Sequence, residues 1–191
     1  MNPLVSGAGA VLLAPGAGSD RDHPALVAME AALAPLPVER MDFPYRRQGR
    51  KAPDRAPKLV DAVVAAAVAL AERAGLAPER LVLGGRSMGG RICSMAVAEG
   101  LPAAGLVLVA YPLHPPGRPD RPRTAHLSGI KVPCLFISGT RDAFATPAEL
   151  EQAGAAIGAP RAHVWVDGGR HELKEADTEV ATAVAAWVWA L

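Results

Sequence analysis

The sequence predicts an α/β fold, a doubly wound, mostly parallel six-stranded sheet flanked by helices. Short β-rich runs alternate with longer segments of helical period, as βαβ units require. Four of the six runs are continuously apolar, as expected for strands covered on both faces, whereas the second and sixth mix in polar residues and suit the sheet's edges. A chain of 191 residues can bury one substantial core but not two, so residues 1–191 are read as a single domain.

The first strand is placed at 11–14, and a short helix at 25–33 follows it, with His23 and Pro24 suited to start it. The second strand is expected over 38–43. The clearest helix runs over 56–74, where Leu59, Val60, Val63, Val64, Ala67, Val68 and Ala71 form one apolar stripe and Gly75 and Pro78 end it. A third strand at 81–84 passes through a glycine-rich turn into a helix at 88–99. The fourth strand, 106–110, leads into a proline-rich loop at 112–123. After a fifth strand at 134–138 come a helix over 147–157 and a sixth strand at 163–166. The chain closes on a helix with Val180, Val184, Trp187, Val188 and Leu191 on its inner side, which makes that tryptophan a core residue.

Right-handed crossovers limit how such strands can be ordered. If the polar second strand is an edge, the chain winds outward from the first strand and returns to lay the third on its other side. That return makes a switch point between strands one and three, where open α/β sheets bind ligands at the strands' carboxyl ends. The loops leaving those two strands are APGAGS and GGRSMGG.

Composition narrows the function. A formal net charge of +1 gives no overall footprint for nucleic acid, and no apolar run approaches the length of a membrane span. The N-terminus has no charged leader region and only a short apolar run, so a cytoplasmic location is expected. Cys93 and Cys134 lie in apolar segments without ligand spacing and are read as reduced packing residues. No metal or cofactor motif is found, and the expected partner is a small molecule, with neither nucleic acid nor membrane. The basic stretch 46–58, with Arg46, Arg47, Arg50, Lys51, Arg55 and Lys58 against Asp54, is either a solvated loop or an attractor for anionic substrates.

The segment GGRSMGGR has no lysine and so cannot be a Walker-type phosphate loop. A dinucleotide fingerprint also fails, since Arg21 stands where Gly16 and Gly18 would need their third glycine. What fits is G-x-S-x-G, from Gly85 to Gly89, between a strand and a helix. Such an elbow strains the serine backbone and brings the chain two positions away so close to its neighbours that only glycine fits. Ser87 is therefore the candidate nucleophile.

A serine hydroxyl needs a base to take its proton and an acid to orient that base. Asp142 follows the fifth strand in ISGTRD, and His171 follows the sixth in VDGGRHELK, so the order Ser, Asp, His is met at strand ends. Asp167 is better explained as a turn residue, His163 as an exposed strand side chain, His126 as structural and His23 as a helix cap. His114, after the fourth strand, is expected to line the pocket without being the base. Donors to an oxyanion would be the backbone amide of Met88 and that of Ala17 or Gly16. Arg86, Arg118 and Arg141 either point to an anionic substrate or are surface or ion-pair residues, and whether Arg86 or Arg91 reads substrate or pairs with a carboxylate stays open.

Together APGAGSDRDHP, MDFPYRRQGRKAPD, GGRSMGGR, AYPLHPPGRPDRPRTAHL, ISGTRDAF and GGRHELK, spread over 14–174, resemble the α/β-hydrolase superfamily in its small dienelactone-hydrolase-like branch. More narrowly the chain is similar to the family of testis-expressed and NSL-complex-subunit-like α/β-hydrolases. The resemblance implies a minimal hydrolase fold and puts Ser87, Asp142 and His171 at the triad positions, and the short stretch between the fourth and fifth strands leaves no room for a large lid domain. Two residues depart from the wider pattern: Pro15 replaces the histidine that usually opens the oxyanion loop, and Ser87 stands where dienelactone hydrolases carry cysteine. A carboxylesterase-like serine hydrolase of small acyl compounds is the leading expectation. A non-catalytic scaffold, or an acyltransferase or perhydrolase with the same triad, is the alternative.

Overall fold

A computed structural model describes residues 7–191; residues 1–6, on which part of the leader reading rests, lie outside the described residues. The sheet is formed by β1 (Ala10–Ala14), β2 (Val38–Arg40), β3 (Leu81–Arg86), β4 (Gly105–Val109), β5 (Cys134–Gly139) and β6 (Arg161–Val166). Its order is β2-β1-β3-β4-β5-β6, with every neighbouring pair parallel. The two partly polar strands are the edges, and the switch point falls between β1 and β3.

Because side chains alternate along a strand, the inner strands feed two cores. Leu12, Leu83, Leu108 and Phe136 point to one face, where α3 (Ala56–Ala74) and α4 (Met88–Ala98) cover them with Val63, Ala67, Ile92 and Cys93. Val11, Leu13, Val107 and Ile137 point to the other face, against Leu26 and Met29 of α1 (Pro24–Leu33) and Val180 and Val184 of α6 (Asp177–Val188). Each fully buried aliphatic side chain contributes about 1.5–3 kcal/mol. The remaining helices are the four-residue α2 (Pro44–Arg47) and α5 (Pro147–Gly154).

Local chemistry sets the helix ends. The His23 ring accepts from the Ala25 amide at 3.2 Å, so it does cap α1. Thr146 and Glu149 form a reciprocal capping box at the start of α5. Gly75 closes α3 in the left-handed conformation.

The second strand ends at Arg40, earlier than the composition suggests, because Phe43 is held extended before Pro44 and the chain turns there into α2. Four residues are too few to show a helical period, so α2 leaves no signal in the sequence. His163 is a correction: it is half-buried rather than exposed. Its ring stacks on Phe136 at 5.1 Å and on Trp165 at 5.2 Å, close to Gly154 of α5, and burial holds its pKa below the usual value. Trp187 is only partly buried and packs against the second core. Cys93 and Cys134 are free and buried, and burial pushes both thiols up to about 12. Among the described residues no helix is long and apolar enough to cross a membrane.

Candidate active site

Three strand ends assemble the site. At the end of β3, Ser87 adopts φ 51°, ψ −118°, a conformation costly for a residue with a side chain. A Cβ added to Gly85 or Gly89 would overlap the Ala14 carbonyl, so glycine is what lets the elbow lie against the end of β1. The elbow is held by the Ser87 amide donating to the Val109 carbonyl of β4 at 2.8 Å.

Asp142 sits just past β5 and is 4% exposed. The approach of its loop to that of His171 depends on Gly139, where a Cβ would overlap the Gly169 carbonyl. The Arg141 amide then donates to that carbonyl at 2.8 Å. One carboxylate oxygen of Asp142 accepts from the Phe144 amide at 2.8 Å. His171 Nδ1 lies 2.9 and 3.1 Å from the two carboxylate oxygens, and its Nε2 lies 2.8 Å from Ser87 Oγ. A carboxylate only accepts, so Nδ1 carries the proton and Nε2 is left to accept from the hydroxyl. Phe144 stacks on the imidazole with ring centroids 3.9 Å apart and fixes its plane.

Beside Ser87 lie the start of α4 and the loop after β1. The first backbone bond that closes α4 runs from the Arg91 amide to the Ser87 carbonyl at 3.1 Å, which leaves the Met88 amide without an intrahelical acceptor. Ala17 borders the same cleft, and Gly16 packs against Ser87. The Tyr45 hydroxyl donates to the Ala17 carbonyl at 2.8 Å and thereby holds the loop that begins with Pro15.

A profile of the alpha/beta hydrolase domain matches residues 7–189. The chain belongs to the α/β-hydrolase family. Solved structures with the α/β-hydrolase fold include a dienelactone hydrolase from Anabaena variabilis, with 24% identity, 96% of this chain and 86% of that chain covered, and a TM-score of 0.72. An alpha/beta-superfamily protein from Xanthomonas campestris gives 23% identity, 96% and 99% coverage and a TM-score of 0.72. An alpha-beta serine hydrolase homologue from Coxiella burnetii gives 16% identity, 97% and 88% coverage and a TM-score of 0.76. At these identities the likeness is one of fold.

In this α/β-hydrolase the cleft beside Ser87 measures about 500 Å³ and is lined among others by Leu59, Ile92, Pro112 and Phe144. Arg86 borders it, but its Nη2 donates to the His171 carbonyl at 2.9 Å and its guanidinium lies against Gly16. Burial holds the Arg86 pKa below its usual value, while Glu172 and Asp142 oppose that shift. Arg86 therefore ties the His171 loop to the loop after β1.

His114 and Arg141 do not line this cleft. His114 is 6% exposed and bonds through Nδ1 to the Pro115 carbonyl at 2.8 Å and through Nε2 to Glu149 at 3.4 Å. It borders a neighbouring cleft of about 430 Å³ instead, because the proline-rich loop folds over α5. Arg141 is exposed and contributes only its backbone. Arg118 is likewise taken up by Asp120 at 3.0 Å on the surface.

Three of the six cations of the basic stretch are paired, Arg46 with Asp20 at 3.2 Å and Arg50 and Lys58 both with Asp54 at 2.9 and 3.3 Å. A larger cleft of about 570 Å³ at the β2 edge, bordered by Arg47, Lys58 and Asp61, has no Ser, Thr, Cys or His in its lining. Among the described residues no group of three or more His, Cys, Asp or Glu could hold a metal ion. Sequence reasoning missed Tyr45, Phe144 and Arg123. All three lie in segments shared with the resembling family, MDFPYRRQGRKAPD, ISGTRDAF and AYPLHPPGRPDRPRTAHL, but nothing in those segments marks the individual residues.

Proposed function

We propose that this protein is a serine hydrolase acting on small carboxylic esters or related acyl compounds. The observation that carries the reading is the unbroken relay from Ser87 Oγ through His171 to Asp142, with Ser87 held in a strained elbow. His171 Nε2 takes the hydroxyl proton as Oγ attacks the carbonyl carbon, and Asp142 stabilises the imidazolium that forms. The tetrahedral oxyanion is met by the Met88 amide and that of Ala17, with Gly16 beside it. His171 then protonates the leaving alkoxide. In the second half-reaction water gives its proton to His171, attacks the acyl-enzyme and releases the acid, and the proton returns to Ser87.

Between β4 and β5 the chain forms only the proline-rich loop and a single turn of 3-10 helix at Leu127–Gly129, so no lid closes over the cleft. An open site of this volume favours short acyl chains. The test is a series of p-nitrophenyl esters of rising chain length. Acetate or butyrate should be cleaved in preference to longer chains, and Ser87→Ala should lower kcat by at least about 10³-fold. Hydrolysis that survives Ser87→Ala would refute the assignment. Acyl transfer or perhydrolysis on the same triad would appear as ester or peracid among the products.

A further inference from the structure

We propose that Phe144 is a positioning residue that acts through His171, the face of its ring stabilising the imidazolium that forms when Ser87 gives up its proton. The proposal rests on the serine hydrolase reading of the same cleft. As Ser87 Oγ bonds to the carbonyl carbon, the carbonyl electron pair moves onto oxygen and the hydroxyl proton passes to His171 Nε2. The ring then carries a positive charge until it protonates the leaving group. A neighbour that favours the charged ring over the neutral one lowers the barrier, whereas one that only packs against it does not.

The contact stands apart from the other ring pairs. The centroids of Phe144 and His171 lie 3.9 Å apart with the planes 26° from parallel, whereas the other aromatic contacts among the described residues span 5.1 to 6.2 Å. An aromatic face carries negative potential and attracts a cation within about 6 Å of the centroid, more strongly where water is excluded. Water is scarce here, since the His171 side chain is 12% exposed and that of Asp142 0%. The Phe144 backbone is fixed on both sides, its amide donating to Asp142 at 2.8 Å and its carbonyl accepting from the His114 amide at 3.1 Å. Its ring therefore cannot leave the imidazole unless the Asp142 loop moves with it.

The charges around the ring leave this contact a task. Asp142 is the carboxylate bonded to His171. Asp54, on the cleft wall, is engaged by Arg50 and Lys58, and Glu172, next in the chain, is exposed. Against them Arg86, Arg91 and Arg123 all border the cleft and oppose a further positive charge in it. Stacking alone is not enough, as His163 shows: it lies between Phe136 and Trp165, has Nδ1 buried without a partner, and burial holds its pKa below the usual value. At His171 the closer ring face works together with the carboxylate.

The test replaces Phe144 with pentafluorophenylalanine, which keeps the shape of the ring and removes the negative potential of its face. The His171 imidazole is titrated by nitrogen NMR in Ser87→Ala protein, so the readout does not depend on turnover. The fluorinated ring should weaken proton binding to His171 roughly three- to tenfold, moving the midpoint to lower pH. With Ser87 present, the plateau of kcat/KM for p-nitrophenyl acetate should fall by a similar factor and its acid limb should move to lower pH. Phe144→Leu should do the same and Phe144→Tyr should leave the midpoint in place, which keeps the test open should the fluorinated protein fail to fold. A contact that only shields the imidazole predicts the opposite sign, because admitting water favours the charged form. A midpoint unmoved or raised by the fluorinated ring, or by Phe144→Leu where that variant alone folds, would overturn the proposal. A lowered midpoint in a protein whose wild type neither cleaves esters nor labels at Ser87 would uphold the ring-face contact and remove the hydrolase reading.

Discussion

At the residue scale the account depends on a few side chains whose partners are all specified. Asp142→Asn keeps the shape but offers His171 Nδ1 an amide that can orient the wrong tautomer, so kcat should fall on the order of 10³ to 10⁴-fold, as steady-state ester hydrolysis would show. Arg86 acts at one remove. Its bond to the His171 carbonyl and its packing on Gly16 hold two loops in place, and Arg86→Met should lower kcat roughly tenfold, read in the same assay with the fold checked by circular dichroism. Ser87, Asp142 and His171 could be picked out because each follows a recognisable strand and their order along the chain, Ser, Asp, His, is the one that goes with this fold. The arginines were not. Arg118 and Arg141 stand near the expected site along the chain but end in solvent, whereas Arg123, near the end of a proline-rich loop, enters the cleft. A loop has no periodicity, so the direction of its side chains is decided by tertiary packing.

Elements position these residues through close backbone approach. Gly89 brings the start of α4 onto the Ala14 carbonyl, and that backbone atom cannot rotate aside as a flexible side chain could. Gly89→Ala should therefore destabilise the fold by roughly 2–4 kcal/mol and depress hydrolysis at the same time, measurable as a lower urea midpoint together with reduced kcat. Thr146→Ala offers a contrast. It removes the capping box of α5, away from Ser87, and should cost about 1 kcal/mol in the same urea titration without changing the rate. Strands and long helices were readable from apolar runs and stripes, most clearly α3. The short α2 and the early end of β2 were not, since Pro44 redirects the chain within a stretch whose composition still suits a strand.

At the scale of the whole molecule, the order of the sheet followed from one polar edge strand and the handedness of crossovers, and it brings the ends of β3, β5 and β6 to one side. The same packing half-buries His126 against Ser94 and Tyr111. Burial, and secondarily Arg91, push its imidazole down to about 4 from an ordinary 6.5. The folded protein thus keeps His126 neutral where the unfolded chain protonates it. The stability this contributes is complete above about 6.5 and is lost as the pH falls through about 4. Urea titrations across that window should show wild-type stability falling more steeply than that of His126→Gln; parallel curves would deny the role. Ser87, His171 and Asp142 come together only when three distant chain segments are assembled. The most direct test is therefore a fluorophosphonate probe on the folded protein, followed by peptide mass mapping. The account predicts one adduct on Ser87, lost in Ser87→Ala and sharply slowed in Asp142→Asn. Well-folded protein that takes no label, or takes it at another residue, would contradict it.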